Sequence, residues 1–375
     1  MHQTPGSSPL PSRRPTGWSR ARAAAQAGFT LLEVMVAIAI ASFTVAALFA
    51  LFSVQSRQLL RQDIDMEMNQ SLRFATDMIS RSVRMAGYGS GGWVYGALGP
   101  TAGAESEALP VIMPWDDPDG DAGPDAVTVT YMDPALVMDT SNQVIETWDT
   151  LTITFKPAFR GNALKLAQLN AGDLLMCSDY ADPRGIRSYL WTITAVNATT
   201  GQVGVNPNDG YSDYAQWFTT NPNLTPIMTC SRAEVVTFYV DNDDDGVGAG
   251  TIENPVLMMS ADQTWPDNDD VPLVDNIEDL QLEYCVDEGT MTADCLTAGS
   301  ANWVTGRSIN PGTDADNIWM VRIMLTVRSN RPDMRDAYPG QKLALSNGGA
   351  GAADNYFRRT MATEVAVRNL RLLAR

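Results

Sequence analysis

The stretch GFTLLEVMVAIAIASFTVAALFALF, Gly28 to Phe52, decides how the rest of the chain is read. From Phe29 to Phe52 only Glu33 carries a charge. As a helix rising 1.5 Å per residue the run extends about 36 Å, enough to cross a hydrocarbon core of roughly 30 Å. A carboxylate inside such a segment costs about 2.5–3.5 kcal/mol to insert, so Glu33 implies a cationic partner. A cut between Gly28 and Phe29 would make one, because the new α-amino group would lie one helical turn before Glu33.

Two simpler readings fit less well. A secretory signal peptide has a shorter apolar core and then a small-residue cleavage site. Ala39-Ile40-Ala41 imitates such a site, but the apolar run continues past it to Phe52 and Glu33 interrupts the core. An unprocessed anchor accounts for the length and leaves Glu33 without a partner.

Upstream, residues 1–28 carry Arg13, Arg14, Arg20 and Arg22 and no acid, with Pro5, Pro9, Pro11 and Pro15 among serines. The composition predicts a disordered leader that keeps its end of the helix cytoplasmic. Downstream, Leu60, Ile64, Met68, Leu72, Ala75, Ile79, Val83 and Ala86 recur every three or four residues, one face of a helix that continues the membrane segment. Gly87 and the glycines after it end that helix. Its apolar face needs something to pack on, and the stripe is too irregular for a heptad coiled coil.

At this point a resemblance emerges. Gly28-Phe29-Thr30-Leu31-Leu32-Glu33 resembles the processing site of type IV prepilins and type II secretion pseudopilins. That likeness implies a prepilin peptidase that cuts after Gly28 and methylates Phe29, and a Glu33 that neutralises the amino terminus of a neighbouring subunit. Arg73, Phe74, Ala75, Arg84, Ala86, Gly87 and Tyr88 are similar to the segment that leads from helix to head in PilW-type minor pilins, relatives of pseudopilin J. Leu273 to Glu278 and the stretches Arg358-Arg359 and Arg368-Asn369 also resemble that head. Residues 89–126 and 156–230 lie outside the likeness.

The remainder reads as strands between turns. Val127-Val129-Tyr131, Leu151-Ile153-Phe155, Tyr189-Trp191-Ile193, Ala233 to Val240, Leu280-Leu282-Tyr284 and Trp319-Val321-Ile323-Leu325-Val327 show a two-residue period. The last is expected to be central in its sheet, since its second face carries Met320, Met324 and two arginines. The expected fold is α+β, pilin-like: a leader over 1–28, a membrane half-helix over 29–55, an amphipathic half over 56–88, and a β-rich head over 89–375.

Composition narrows the chemistry. The formal net charge is −18, and the leader takes four of the 26 basic residues and none of the 44 acidic ones. Such a surface repels nucleic acid, which is not an expected partner. The one histidine, His2, lies in the leader, so the processed chain has no Ser-His-Asp or Cys-His centre and no imidazole for zinc. No enzymatic activity is expected. Cys177, Cys230, Cys285 and Cys295 form an even set in an oxidising compartment, with no CxxC spacing. Of three connectivities, 285–295 across a short loop together with 177–230 is preferred.

Asp241-Asn242-Asp243-Asp244-Asp245-Gly246 resembles the opening of a calcium loop, with Asp241, Asp243 and Asp245 as alternate ligands. The closing glutamate of that pattern would fall at Ile252, with Glu253 one place late, and a solvated acidic turn is the competing reading. No cofactor is required, and Ca2+ is the one candidate ion. Asp117, Asp119, Asp121 and Asp125, and the run Asp267 to Asp270, read as acidic loops that keep the head soluble. Seven tryptophans from Trp115 to Trp319 are expected mainly in the core.

These features imply a non-enzymatic minor pilin that takes part in, and primes, type IV pilus assembly. Its partners would be the peptidase, other minor and major pilins through the helix, and the inner membrane, before transfer to the pilus at the cell surface. The alternatives are a type II secretion pseudopilin and a pilus-tip binding module.

Overall fold

The computed structural model describes residues 29–90, 93–95, 108–115, 123–147, 150–156, 161–179, 187–206, 228–242, 248–251, 254–261, 265–286, 295, 302–306, 318–332, 340–341 and 353–367. The chain forms two compact units, Met1–Arg61 and Gln62–Arg375. One helix, α1 (Leu31–Met85), contributes to both.

In the first unit every described side chain, Phe29 to Arg61, is exposed. The polar residues of this apolar run turn their hydrogen bonds inward. Ser42 Oγ donates to the Ile38 carbonyl at 2.7 Å, Thr44 Oγ1 to Ile40 at 2.9 Å, and Ser53 Oγ to Ala50 at 2.8 Å. Each hydroxyl is thereby satisfied without water, as a lipid-facing helix requires. By length and composition the helix can cross a membrane.

In the second unit α1 is amphipathic. Met68, Leu72, Ala75, Ile79 and Val83 are buried, and Ala86 follows them. The helix stops where Gly87 (φ 70°) turns left-handed and donates its N–H to the Thr130 carbonyl at 3.0 Å. Two residues on, Gly89 (φ 78°) packs so closely on Met132 that an added Cβ would lie 2.3 Å from Sδ. Both conditions call for glycine.

The strands are β1 (Trp93–Tyr95), β2 (Ala108–Pro110), β3 (Ile112–Trp115), β4 (Ala126–Met132), β5 (Met138–Thr147) and β6 (Thr150–Phe155). After a short helix α2 (Asn162–Leu166) come β7 (Leu174–Asp179), β8 (Arg187–Asn197), β9 (Gln202–Val205) and β10 (Met228–Asp241). The last group is β11 (Val256–Ser260), β12 (Val271–Asp275), β13 (Ile277–Val286), β14 (Trp303–Thr305), β15 (Ile318–Arg328), β16 (Gly340–Gln341), β17 (Ala353–Asp354) and β18 (Arg358–Ala366). The fold is α+β, with twelve strands in one sheet, four in a second ordered β14-β13-β15-β18, and the pair β16-β17. The described pairings are antiparallel except β1 with β8.

The buried stripe of α1 packs into a core with β4 (Val127, Val129), β13 (Leu280, Leu282, Tyr284), β15 (Val321, Ile323, Leu325, Val327) and Val365 of β18. β15 is central in its sheet, between β13 and β18. A second core gathers Met138, Ile153, Phe155, Leu166, Leu175, Trp191 and Val203 from the elements between β4 and β10. Strand β10 serves both. Met228 to Arg232 pair with β7, whereas Ala233 to Phe238 pair with β4. Leu60, the first position of the predicted stripe, is 58% exposed.

Candidate functional site

The chemistry that the sequence singles out lies at the start of α1. Thr30 is the residue before the helix, and its Oγ1 accepts the Glu33 N–H at 3.3 Å, while its carbonyl accepts from Glu33 and Val34 at 3.0 and 3.2 Å. Thr30-Leu31-Leu32-Glu33 is therefore a helix start of the capping-box pattern, with an acid at the third helical position where the dipole favours negative charge. Sequence reading assigned Glu33 to an ion pair and passed over Thr30. The Thr-x-x-Glu spacing ahead of an apolar run was the signal for it.

Phe29 is 83% exposed, next to Thr30, and Gly28 lies outside the described residues. The carboxylate of Glu33 meets no cation among the described residues. The start of α1 thus offers an exposed aromatic residue at the predicted cut position, an ordered first turn, and one acid in an otherwise uncharged segment.

Elsewhere in the head the cysteines form two bonds, Cys177–Cys230 and Cys285–Cys295. The first joins directly paired residues of β7 and β10, inside the second core. Asp241 ends β10 and is nearly buried. Its Oδ2 accepts the Gly250 N–H at 2.6 Å, and a Cβ on Gly248 would lie 2.4 Å from the same oxygen. Asp241 thus holds the returning turn closed, which gives it a structural task of its own. Asp243 and Asp245 lie outside the described residues, as do Asp117, Asp119 and Asp121.

Asp267, Asp269 and Asp270 bring one oxygen each within 4.8 Å of one another. The group is held by its own hydrogen bonds. Asp270 accepts from the Tyr239 hydroxyl and from the Asp267 N–H, and Asp267 accepts from the Asp269 N–H. Burial, and then the bond to Asp270, push the Tyr239 phenol well above its usual range. The indole of Trp265 packs 5.3 Å from Tyr239 and 5.6 Å from Trp115, closing a small aromatic cluster on the sheet.

Charge networks stitch the four-stranded sheet. Arg358, its side chain 8% exposed, donates to both oxygens of Glu278 on β13 and both of Asp354. Those bonds hold the Asp354 carboxyl below the ordinary value. They also lift the Arg358 guanidinium above its own despite its burial. Arg322 on β15 bridges Glu283 and Glu364 and lies 4.1 Å over the Trp303 ring. Sequence reading named Arg358 only through the family likeness and assigned neither arginine a partner.

Two family comparisons bear on this arrangement. The prokaryotic N-terminal methylation motif matches residues 24–49, which include Gly28, Phe29, Thr30 and Glu33. With the α+β fold this defines a pilin-like protein. The family described as type IV pilus-assembly protein W matches residues 237–369, from the end of β10 through β18. Together the two matches support a PilW-type minor pilin, related to the type IV pilus. No curated protein and no solved structure matches it.

Proposed function

We propose that this chain is a minor pilin subunit that takes part in, and primes, assembly of a type IV pilus without catalysing a reaction. The observation that carries the reading is Glu33, an acid in an apolar helical run whose side chains from Phe29 to Arg61 are all exposed. Such a surface is satisfied only by lipid or by other apolar helices. In this scheme the peptidase cuts between Gly28 and Phe29 and methylates Phe29. The subunit waits in the inner membrane with its N-terminal side cytoplasmic. On assembly, the amino terminus of a neighbouring pilin or minor pilin neutralises Glu33 and sets the axial register.

The disulfides support an extracytoplasmic head. The domain limits proposed are leader 1–28, membrane half-helix 29–55, amphipathic half 56–88 and head 89–375. Calcium at Asp241, Asp243 and Asp245 is proposed only as an accessory to head stability.

The test is a Glu33→Gln strain beside a deletion strain. Both are expected to lose surface pili with protein export intact, while mass spectrometry of the Glu33→Gln protein still finds a methylated Phe29 at its N-terminus. Normal piliation in the deletion strain defeats the assembly role. A native chain beginning upstream of Phe29 defeats the processing step.

A further inference from the structure

We propose that Arg57 and Arg61 bind the phosphate groups of lipids in the leaflet on the head side of the membrane, and so fix how deep the apolar half of α1 sits. The inference rests on the membrane placement of that half-helix and not on its role in a pilus.

The apolar run does not set its own depth. From Phe29 to Val54 only Glu33 is charged. As a helix this run extends about 39 Å, against a hydrocarbon core of roughly 30 Å. A run longer than the core can slide or tilt, and its position is then decided by anchoring residues at the interface. Tryptophan and tyrosine are the usual uncharged anchors, and neither occurs between Phe29 and Arg61. The charges over that span are Glu33 near one end and Arg57 and Arg61 at the other.

Both arginines are exposed, and neither meets an acid among the described residues. They stand four residues apart in α1, which puts them on one face of the helix. Arg57 lies about 4.5 Å beyond Val54 along the axis, and Arg61 about 10.5 Å beyond it. Side chains of a helix lean toward its N-terminus, here toward the membrane, so each guanidinium reaches back from its own Cα. That brings both into the headgroup layer, which adds about 5–7 Å outside the core on each side.

Past Arg61 the sign reverses, with Asp63, Asp65 and Glu67 before the next basic residue, Arg73. Asp65 follows Arg61 by four residues, the weaker order for an ion pair along a helix. The order along α1 is thus apolar, cationic, anionic, which matches hydrocarbon, phosphate, water. A guanidinium suits the middle layer because its planar fork of five N–H donors grips two phosphate oxygens at once. Leu59 and Leu60, between the arginines, are 60% and 58% exposed. Without the two cations these leucines would draw the helix further into the hydrocarbon.

The test uses the full-length protein reconstituted in vesicles of phosphatidylcholine and phosphatidylglycerol. Its cysteines are all in disulfides, so Ser56→Cys and Ala41→Cys each give one site for a spin label whose depth is read by collisional quenching. Arg57→Gln with Arg61→Gln should carry the label at 56 toward the hydrocarbon by about one helical turn, roughly 5 Å. Arg57→Lys with Arg61→Lys should hold it in place. Phosphatidylglycerol that co-purifies with the protein in mild detergent should fall several-fold in the glutamine pair and persist in the lysine pair. Unchanged depth in the glutamine pair, with the label at 41 in hydrocarbon, overturns this proposal alone. A label at 41 in water overturns the membrane placement with it. A shift that the lysine pair also shows removes charge as the cause, and a shift without loss of phosphatidylglycerol removes phosphate binding. Either result overturns the proposal.

Discussion

Replacing Ile79 and Leu60 by alanine, one at a time, separates what α1 does for the head from what it offers to other subunits. Both residues belong to the same three-and-four stripe, yet Ile79 is 0% exposed in the core and Leu60 is 58% exposed. Truncating a buried isoleucine costs about 2–5 kcal/mol through lost transfer free energy and the cavity left behind. At roughly 2 °C per kcal/mol for a large domain, the melting temperature should fall by about 4–10 °C. Leu60→Ala removes a side chain already in solvent, so its stability effect should stay within about 0.5 kcal/mol. Thermal unfolding of the detergent-solubilised protein measures this, and recovery of the subunit in sheared pili measures assembly. Leu60→Ala should fold as the wild type and yet enter pili poorly. Equal loss of stability at the two positions would refute the division of the helix into a core half and a free half. Normal incorporation of Leu60→Ala would refute the claim that the free face is an assembly surface.

The Asp354 carboxyl is held below its ordinary value of 3.8, first by the bonds from Arg358. A depressed carboxylate contributes stability that is fully present above that value and is lost as pH falls through the lower, folded one. Asp354→Asn should therefore cost stability at pH 6, by less than about 1 kcal/mol because the carboxylate is partly exposed, and should match the wild type near pH 2 in denaturant titrations. Gly89→Ala combines a left-handed φ with an overlap against buried Met132, and a loss of about 2–4 kcal/mol is expected by the same method. Removing Cys177–Cys230, which closes a separation of 53 residues, should cost about 4 kcal/mol against roughly 3 for Cys285–Cys295 with 10. Hydrogen exchange should place the first loss in β5 to β9 and leave β15 protected.

The helix was legible because its causes are local. An apolar run of membrane length and a glycine stop are both written within the segment they govern, the Thr-x-x-Glu start lay there too although it was passed over, and the stripe from Met68 to Ala86 is buried as its period implies. Strands β4, β6, β8, β10, β13 and β15 announced themselves by two-residue alternation. The short strands β1, β2, β3 and β14 did not, since three or four residues give a period no room to repeat. Leu60 marks the limit of the method in the helix. Periodicity identifies a face that must be covered, but not whether its cover lies in the same chain. The Arg358 network was hidden for a different reason: Asp354 lies four residues before Arg358, but Glu278 stands 80 residues away and only the β13-β15-β18 order brings it to the same guanidinium.

Where the family likeness stops is itself a structural boundary. The match to type IV pilus-assembly protein W begins at residue 237, beyond the point on β10 where pairing passes from β7 to β4 at Arg232 and Ala233. Strands β11, β13, β15 and β18, which it covers, contribute to the α1 core, while β5, β6 and β9 with parts of β7 and β8 build the second core, Met176 and Leu190 of β7 and β8 belonging to the first. One continuous strand carries both, so the register of the second core is fixed by the same backbone ladder that seats the first. Cys177–Cys230 locks that ladder on the second core's side of the crossing. Substitutions at second-core positions such as Ile153, Phe155 and Val203 leave the side chains of the α1 core unchanged. Those positions can change while the core around the buried stripe of α1 keeps its side chains, which makes them the natural place for whatever distinguishes this chain from other pilin-like proteins.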